Sequence, residues 1–305
     1  MTRSSLALLP LLLVSCASTG GGPSATVAAV PEGFDAQALP AFDAQDGAAL
    51  DFEQVIERAA QAHVVVLGET HDDAEGHAFQ AAIVDALFER FPGSVLALEM
   101  LERDEQLLVE DFQDGLIDAQ AFARETGSTD WAGSGSWAAW YQPVIDAALE
   151  NGGRVVAANA PRRYVQLARQ RGHAAFDALD EARRVLVDVP FGDQPAEYRD
   201  RFFELMGSMG HGHPVPEEMI EAMFGSQSVW DATMAASVHR ARPDAERKVA
   251  LLVGQFHTDF EGGLLGQLRH LDSELQVLSI SLQPASARSL REEDRGRADV
   301  VVYTK

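Results

Sequence analysis

Two short apolar runs in this 305-residue chain each end in glycine, two further residues and a histidine. Val64–Leu67 leads into Gly68-Glu69-Thr70-His71, and Val249–Val253 leads into Gly254-Gln255-Phe256-His257. If both runs are parallel strands of one sheet, their ends bring two imidazoles to the same edge. That edge is where open α/β sheets bind ligands. Other strand ends add polar groups to it: Glu69, Asp72 and Asp73 after the first run, Glu99 within Leu96–Met100, Asn159 with Arg162 and Arg163 after Arg154–Asn159, and Asp259 after the last. A glutamate inside an apolar strand is costly unless it is paired or bound to a metal. The set Glu69, His71, Glu99 and His257 therefore suits a divalent cation held by His71, Glu99 and His257, or an acid/base pair with an arginine clamp for an anion.

The elements that must position these groups follow from the pattern. Asp46-Gly47 predicts a small hairpin between 39–44 and 48–52. Asp51 caps a helix to Gln61, and strands are expected at 63–68, 94–100, 154–159, 249–254, 276–282 and 298–303. Helical spacing joins them over 74–91, over 103 to about 126, and over 138–150. Pro161 opens another helix at a position that tolerates proline. Residues from about 172 to 245 are helical in pattern and read as an inserted helical subdomain. The fold class is α/β: a mostly parallel central sheet flanked by helices.

Composition narrows the partners. The net charge is −23, and only Lys248 and Lys305 are lysines among the 24 basic residues. Clustered cations of the kind that bind phosphate backbones are missing, which excludes nucleic acid as a partner. Arg3 followed by apolar Leu6–Val14 reads as a signal peptide over 1–15, too short to span a bilayer. It ends in Leu13-Val14-Ser15-Cys16, a lipobox-like sequence whose cysteine is the only one in the chain. Cys16 is the expected lipidation site and residues 16–33 a flexible tether. Residues 34–305 form the α/β domain. The expected location is the cell envelope, lipid-anchored, at the periplasmic face of the outer membrane.

The stretch Val64–Gln80 with Gly68-Glu69-Thr70-His71-Asp72 and His77-x-x-Gln80 resembles the ChaN family of haem-binding uptake lipoproteins. So do Leu98-Glu99-Met100, Asn159-Ala160-Pro161-Arg162, Gln227 with Trp230-Asp231, Met234-Ala235, and Gly254-Gln255-Phe256-His257. The likeness runs from about Phe42 to Tyr303. The wider grouping is the Tiki/TraB superfamily, which resembles the erythromycin esterases more distantly. Its shared signature, the paired Gly-x-x-His with a strand-end glutamate, falls here on His71, His257 and Glu99. Because members include metal-dependent proteases and metal-independent esterases, the resemblance implies a site and leaves its chemistry open. It implies haem or iron handling at the envelope and haem-linked homodimerisation. The alternative is a hydrolase using Glu69, His71, Glu99 and His257. Four of the seven methionines, Met206, Met209, Met219 and Met223, bracket His211-Gly212-His213-Pro214. This segment reads as an adaptable flap for a planar apolar ligand. The haem-contacting residues expected are Tyr164, His211 and His213 toward the iron, and Arg162 and Arg163 toward the propionates.

Overall fold

Alternate residues of the strand β3 (Val64–Glu69) serve opposite faces of the sheet. Val65 and Leu67 join one core and Val64 and Val66 the other. Period-two alternation with both sets buried is what a strand covered on both faces requires. The computed structural model describes residues 27–208, 214–242, 244 and 246–305. Among them are the strands β1 (Ala41–Asp43), β2 (Ala49–Leu50), β4 (Val95–Glu102), β5 (Arg154–Asn159), β6 (Val249–Gly254), β7 (Val277–Gln283) and β8 (Val300–Tyr303). The sheet order is β2-β1-β8-β7-β3-β6-β4-β5. Pairs from β8 to β5 are parallel, and the β1–β2 hairpin closes one edge antiparallel. The hairpin turns at Gly47, whose φ of +80° is a conformation that glycine adopts without a steric penalty.

One face is covered by α1 (Phe52–Gln61), α2 (Ala74–Arg90), α3 (Gln106–Gln113), α4 (Ala119–Glu125) and α5 (Gln142–Glu150). α1 starts as expected: Asp51 accepts from the Gln54 amide at 2.8 Å and Gln54 accepts from the Asp51 amide at 2.9 Å. The helix expected over 103–126 is broken instead at Gly115, whose positive φ separates α3 from α4. Before α5, Trp137–Tyr141 forms a π-turn. Pro143 has no N–H and would press on the carbonyl four residues back in a regular helix, so the chain enters α5 widened by one residue. The other face carries α9 (Glu217–Ala241) and α10 (Gly263–Leu271), with Met234, Ala235, Val238, Leu264 and Leu268 on the strands. Residues 172–245 add α7 (Glu181–Arg184) and α8 (Ala196–Ser208). The first half of α9 packs with α8, through Tyr198, Phe202, Ile220 and Phe224. Its second half returns to the sheet.

Candidate functional site

β3 and β6 are neighbours, parallel, and in register from Val64↔Val249 to Glu69↔Gly254. Both Gly-x-x-His segments therefore leave the sheet at one edge, and β4 on the far side of β6 brings Glu99 to the same place. The glycines make this convergence possible because each lies where the other segment packs. A Cβ on Gly254 would sit 3.0 Å from His71 Cε1, and a Cβ on Gly68 would sit 2.9 Å from Thr258 Oγ1 and 3.2 Å from Gln255 Cα. Gln255 Nε2 then donates to Thr70 Oγ1 at 3.0 Å, tying one segment to the other.

The first imidazole is oriented by a buried carboxylate. His71 Nδ1 donates to Glu69 Oε1 at 2.9 Å, which leaves Nε2 beside Gly254 at the cleft. Glu69 is otherwise saturated by the Tyr141 hydroxyl at 2.8 Å and Gln80 Nε2 at 2.8 Å. Burial pushes the Glu69 carboxyl up, but the charges of His77 and His71 and these hydrogen bonds outweigh it and hold it low. Burial likewise pulls His71 down, and the hydrogen bond and charge of Glu69 reverse this, so its pKa is raised. His77 supports the turn: Nε2 donates to the His71 carbonyl at 3.0 Å, and the ring stacks on Trp140.

The second imidazole lies between two carboxylates. His257 Nδ1 donates to Asp231 Oδ1 at 2.6 Å, and its Nε2 is 3.6 Å from Glu99 Oε1. Glu99 accepts the Gly254 amide at 2.6 Å, and Asp231 accepts the Tyr198 hydroxyl at 2.9 Å. Burial favours neutral His257, but Asp231 and Glu99 together raise its pKa well above the usual imidazole range. Glu99 is driven down to about 2 by His257 and His71 against the upward push of burial. At Asp231 burial prevails and the carboxyl is raised. We read His257 as the cation, because it has two anionic neighbours and Glu99 has already released its proton. His71, Glu99 and His257, the set expected to hold a metal, all line one cleft. Among the described residues no three His, Cys, Asp or Glu side chains are placed to hold an ion.

A cleft opens over these groups and encloses about 1230 Å³, open mouth included. His71, Glu99 and His257 form its floor. Phe202, Leu205, Met206, Met223 and Phe256 line one side, and Arg162, Gln166 and Arg169 of α6 (Arg162–Arg171) line another. Of the residues expected to bind, Arg162 is at the cleft, whereas Arg163 and Tyr164 are not among its lining. Arg163 is held by Asp104 at 2.5 Å and lies over the Tyr164 ring, which is buried against Val165, Ala168 and Phe176. The reason is azimuth: successive helix residues point about 100° apart, so α6 cannot aim 162, 163 and 164 at one cleft. Met206 and Met223 line the cleft as the flap reading requires, and Met219 is exposed. Met209, His211 and His213 lie outside the described residues, as does Cys16.

Sequence reasoning did not single out Tyr141, Gln80, Asp231, Tyr198 or Arg169 for the site. Gln80 and Asp231 had a signal, since they sit in the motifs that carry the family resemblance.

A family model described as haem-binding uptake, Tiki superfamily, ChaN matches residues 55–268. Among solved structures, ChaN of Campylobacter jejuni, described with cofacial haem binding, superposes with a TM-score of 0.68 at 19% identity. The match covers 88% of this chain and 97% of that one, and it shows a shared fold. Weaker likenesses are the type III effector HopBA1, with a TM-score of 0.49 at 12% identity over 83% of this chain and 92% of that one, and the erythromycin esterase EreC in its open conformation, with 0.44 at 14% identity over 87% and 83%. No curated protein matches.

Proposed function

The chain belongs to the ChaN haem-binding uptake family of the Tiki superfamily, and from that premise we propose that its cleft binds haem at the cell envelope in iron acquisition. The observation that carries this reading is the mixed apolar and cationic lining of the cleft. Aromatic and methionine side chains of α8 and α9 offer an adaptable apolar wall to a porphyrin face, and Arg162 and Arg169 of α6 line the same cleft for its carboxylates. The residues present fit the group. Phe202, Leu205 and Met206 would exclude water from the ring, and Arg162 would meet a propionate. Haem supplies the iron that is the cargo. His211 and His213, between α8 and α9, are the imidazoles proposed for it, and a shared porphyrin would favour a homodimer.

Titrating haem into the purified protein is expected to give a saturable Soret shift, altered when His211→Ala and His213→Ala are combined. Absence of a saturable shift in the wild type would sink the reading. A second activity is supported by one observation: His71 is a carboxylate-oriented imidazole facing the cleft, the arrangement of a general base. It predicts slow hydrolysis of an ester such as p-nitrophenyl acetate, reduced about 100-fold or more in His71→Ala. Equal rates for the two proteins would remove that activity.

Attachment to the membrane is proposed through acyl chains on Cys16. Cys16→Ser is expected to move the protein from the membrane fraction to the soluble fraction. A variant that stays wholly in membranes would refute lipidation as the anchor.

A further inference from the structure

In this acidic chain the helix α6 is strongly cationic. α6 has four arginines and no carboxylate in its ten residues, within a protein of net charge −23. Arg162, Val165, Gln166 and Arg169 of α6 all line the cleft. Their spacing of three, four and seven residues places them on one face of the helix. The two arginines of that face are not equivalent. Arg162 Nε lies 3.4 Å from Glu102, itself a cleft residue, so a ligand carboxylate there would share the guanidinium with Glu102. Among the described residues the ion pairs of α6 are those of Arg162 and Arg163. Arg169 makes none, although it is half-buried in the wall.

An unmatched guanidinium in a part-enclosed wall interacts with an anion more strongly than one in open water. It also opposes, at one point of the cleft, the repulsion that the chain's net negative charge exerts on anions. Two turns separate it from Arg162, about 10 Å along the helix, and Gln166 lies between them as a further donor. Phe202, Leu205 and Met206 line the cleft apart from this face.

We propose that Arg169 is the carboxylate anchor of the cleft, binding the acidic edge of an amphipathic ligand whose apolar body lies against α8. The inference rests on the haem reading, which makes a porphyrin dicarboxylate that ligand.

The test uses iron-free protoporphyrin IX and its dimethyl ester, delivered in the same detergent and followed by fluorescence, so that iron ligation plays no part. Arg169→Ala is expected to weaken binding of the free acid about tenfold, the loss of one charge-assisted pair, and to leave the ester's affinity unchanged. Arg171→Ala, on the same helix, is expected to change neither. Thermal melting shows whether Arg169→Ala remains folded. If the wild type binds porphyrin and Arg169→Ala binds the acid equally well, or loses acid and ester alike, the anchor is refuted while the haem reading stands. A wild type that binds neither porphyrin refutes the anchor, and the haem titration then decides whether the haem reading falls with it.

Discussion

Asp231→Ala is expected to remove about 3–5 kcal/mol of stability, the range for deleting one partner of a buried ion pair. Asp231 is fully buried, holds His257 Nδ1 at 2.6 Å and accepts the Tyr198 hydroxyl at 2.9 Å. Its loss strands a buried imidazolium on Glu99 alone and leaves a buried hydroxyl without its acceptor, which adds to the cost. The melting temperature should fall on the order of 10 °C. Asp231→Asn keeps the shape and one acceptor, so its loss should be smaller. If Asp231→Ala melts within a degree or two of the wild type, the buried cation is wrongly assigned.

The same pair sets a pH dependence. His257 has a pKa raised well above 6.5 because Asp231 and Glu99 outweigh the burial that lowers it. A raised imidazole contributes stability that is complete below 6.5 and fades as pH rises through the folded value. His71 is raised too and acts in the same sense. Glu99 behaves oppositely: lowered from 4.5 to about 2, its contribution is complete above 4.5 and lost as pH falls toward 2. Stability from these groups should therefore plateau between about 4.5 and 6.5 and decline on the alkaline side. In Asp231→Asn, one of the two carboxylates holding the imidazolium is gone, and the alkaline decline should begin at lower pH. Urea unfolding between about pH 5 and pH 9 measures this. Identical alkaline slopes in the two proteins would count against the charge assignment.

Gly262→Ala should be nearly as damaging for a different reason. A Cβ there would lie 2.4 Å from the His257 carbonyl oxygen, 2.6 Å from its carbonyl carbon and 2.8 Å from the Thr258 nitrogen. All three are backbone atoms of the turn that presents His257, and none can rotate away. Phe260 and Glu261 before it already sit at φ of 52° and 59°, which leaves little slack in the loop. Overpacking against rigid backbone is expected to cost about 3 kcal/mol or more and to displace His257. Gly266→Ala is the internal contrast, because it lies in α10 with nothing within 4 Å of its Cβ. It should raise stability by roughly 0.5–1 kcal/mol. Denaturant midpoints for the two alanines that differ by less than about 1 kcal/mol would show that the loop yields where the geometry says it cannot.

The strand ends were legible in the chain because their signals are local. A buried strand needs an unbroken apolar run, so the four residues before each Gly-x-x-His identified β3 and β6. Glu99 stood out as the charge inside another such run. Asp51 and Pro161 marked helix starts through chemistry that acts over three or four residues. The membership of His71, Glu99 and His257 in one floor followed once parallel strands were assumed, because parallel strands send their carboxyl ends to the same edge.

What fills the space around that floor was decided by tertiary packing. Tyr141 reaches Glu69 from 72 residues away, and Asp231 reaches His257 from a helix whose first half belongs to the cleft wall. No periodicity encodes such partners, since each depends on the rotation and offset at which a helix docks on the sheet. The same rotation separated Arg162 and Arg169, which face the cleft, from Arg163 and Tyr164, which do not. Residue type alone could not distinguish them. Position around a helix axis becomes function only when the fold sets one face of that helix against a cavity.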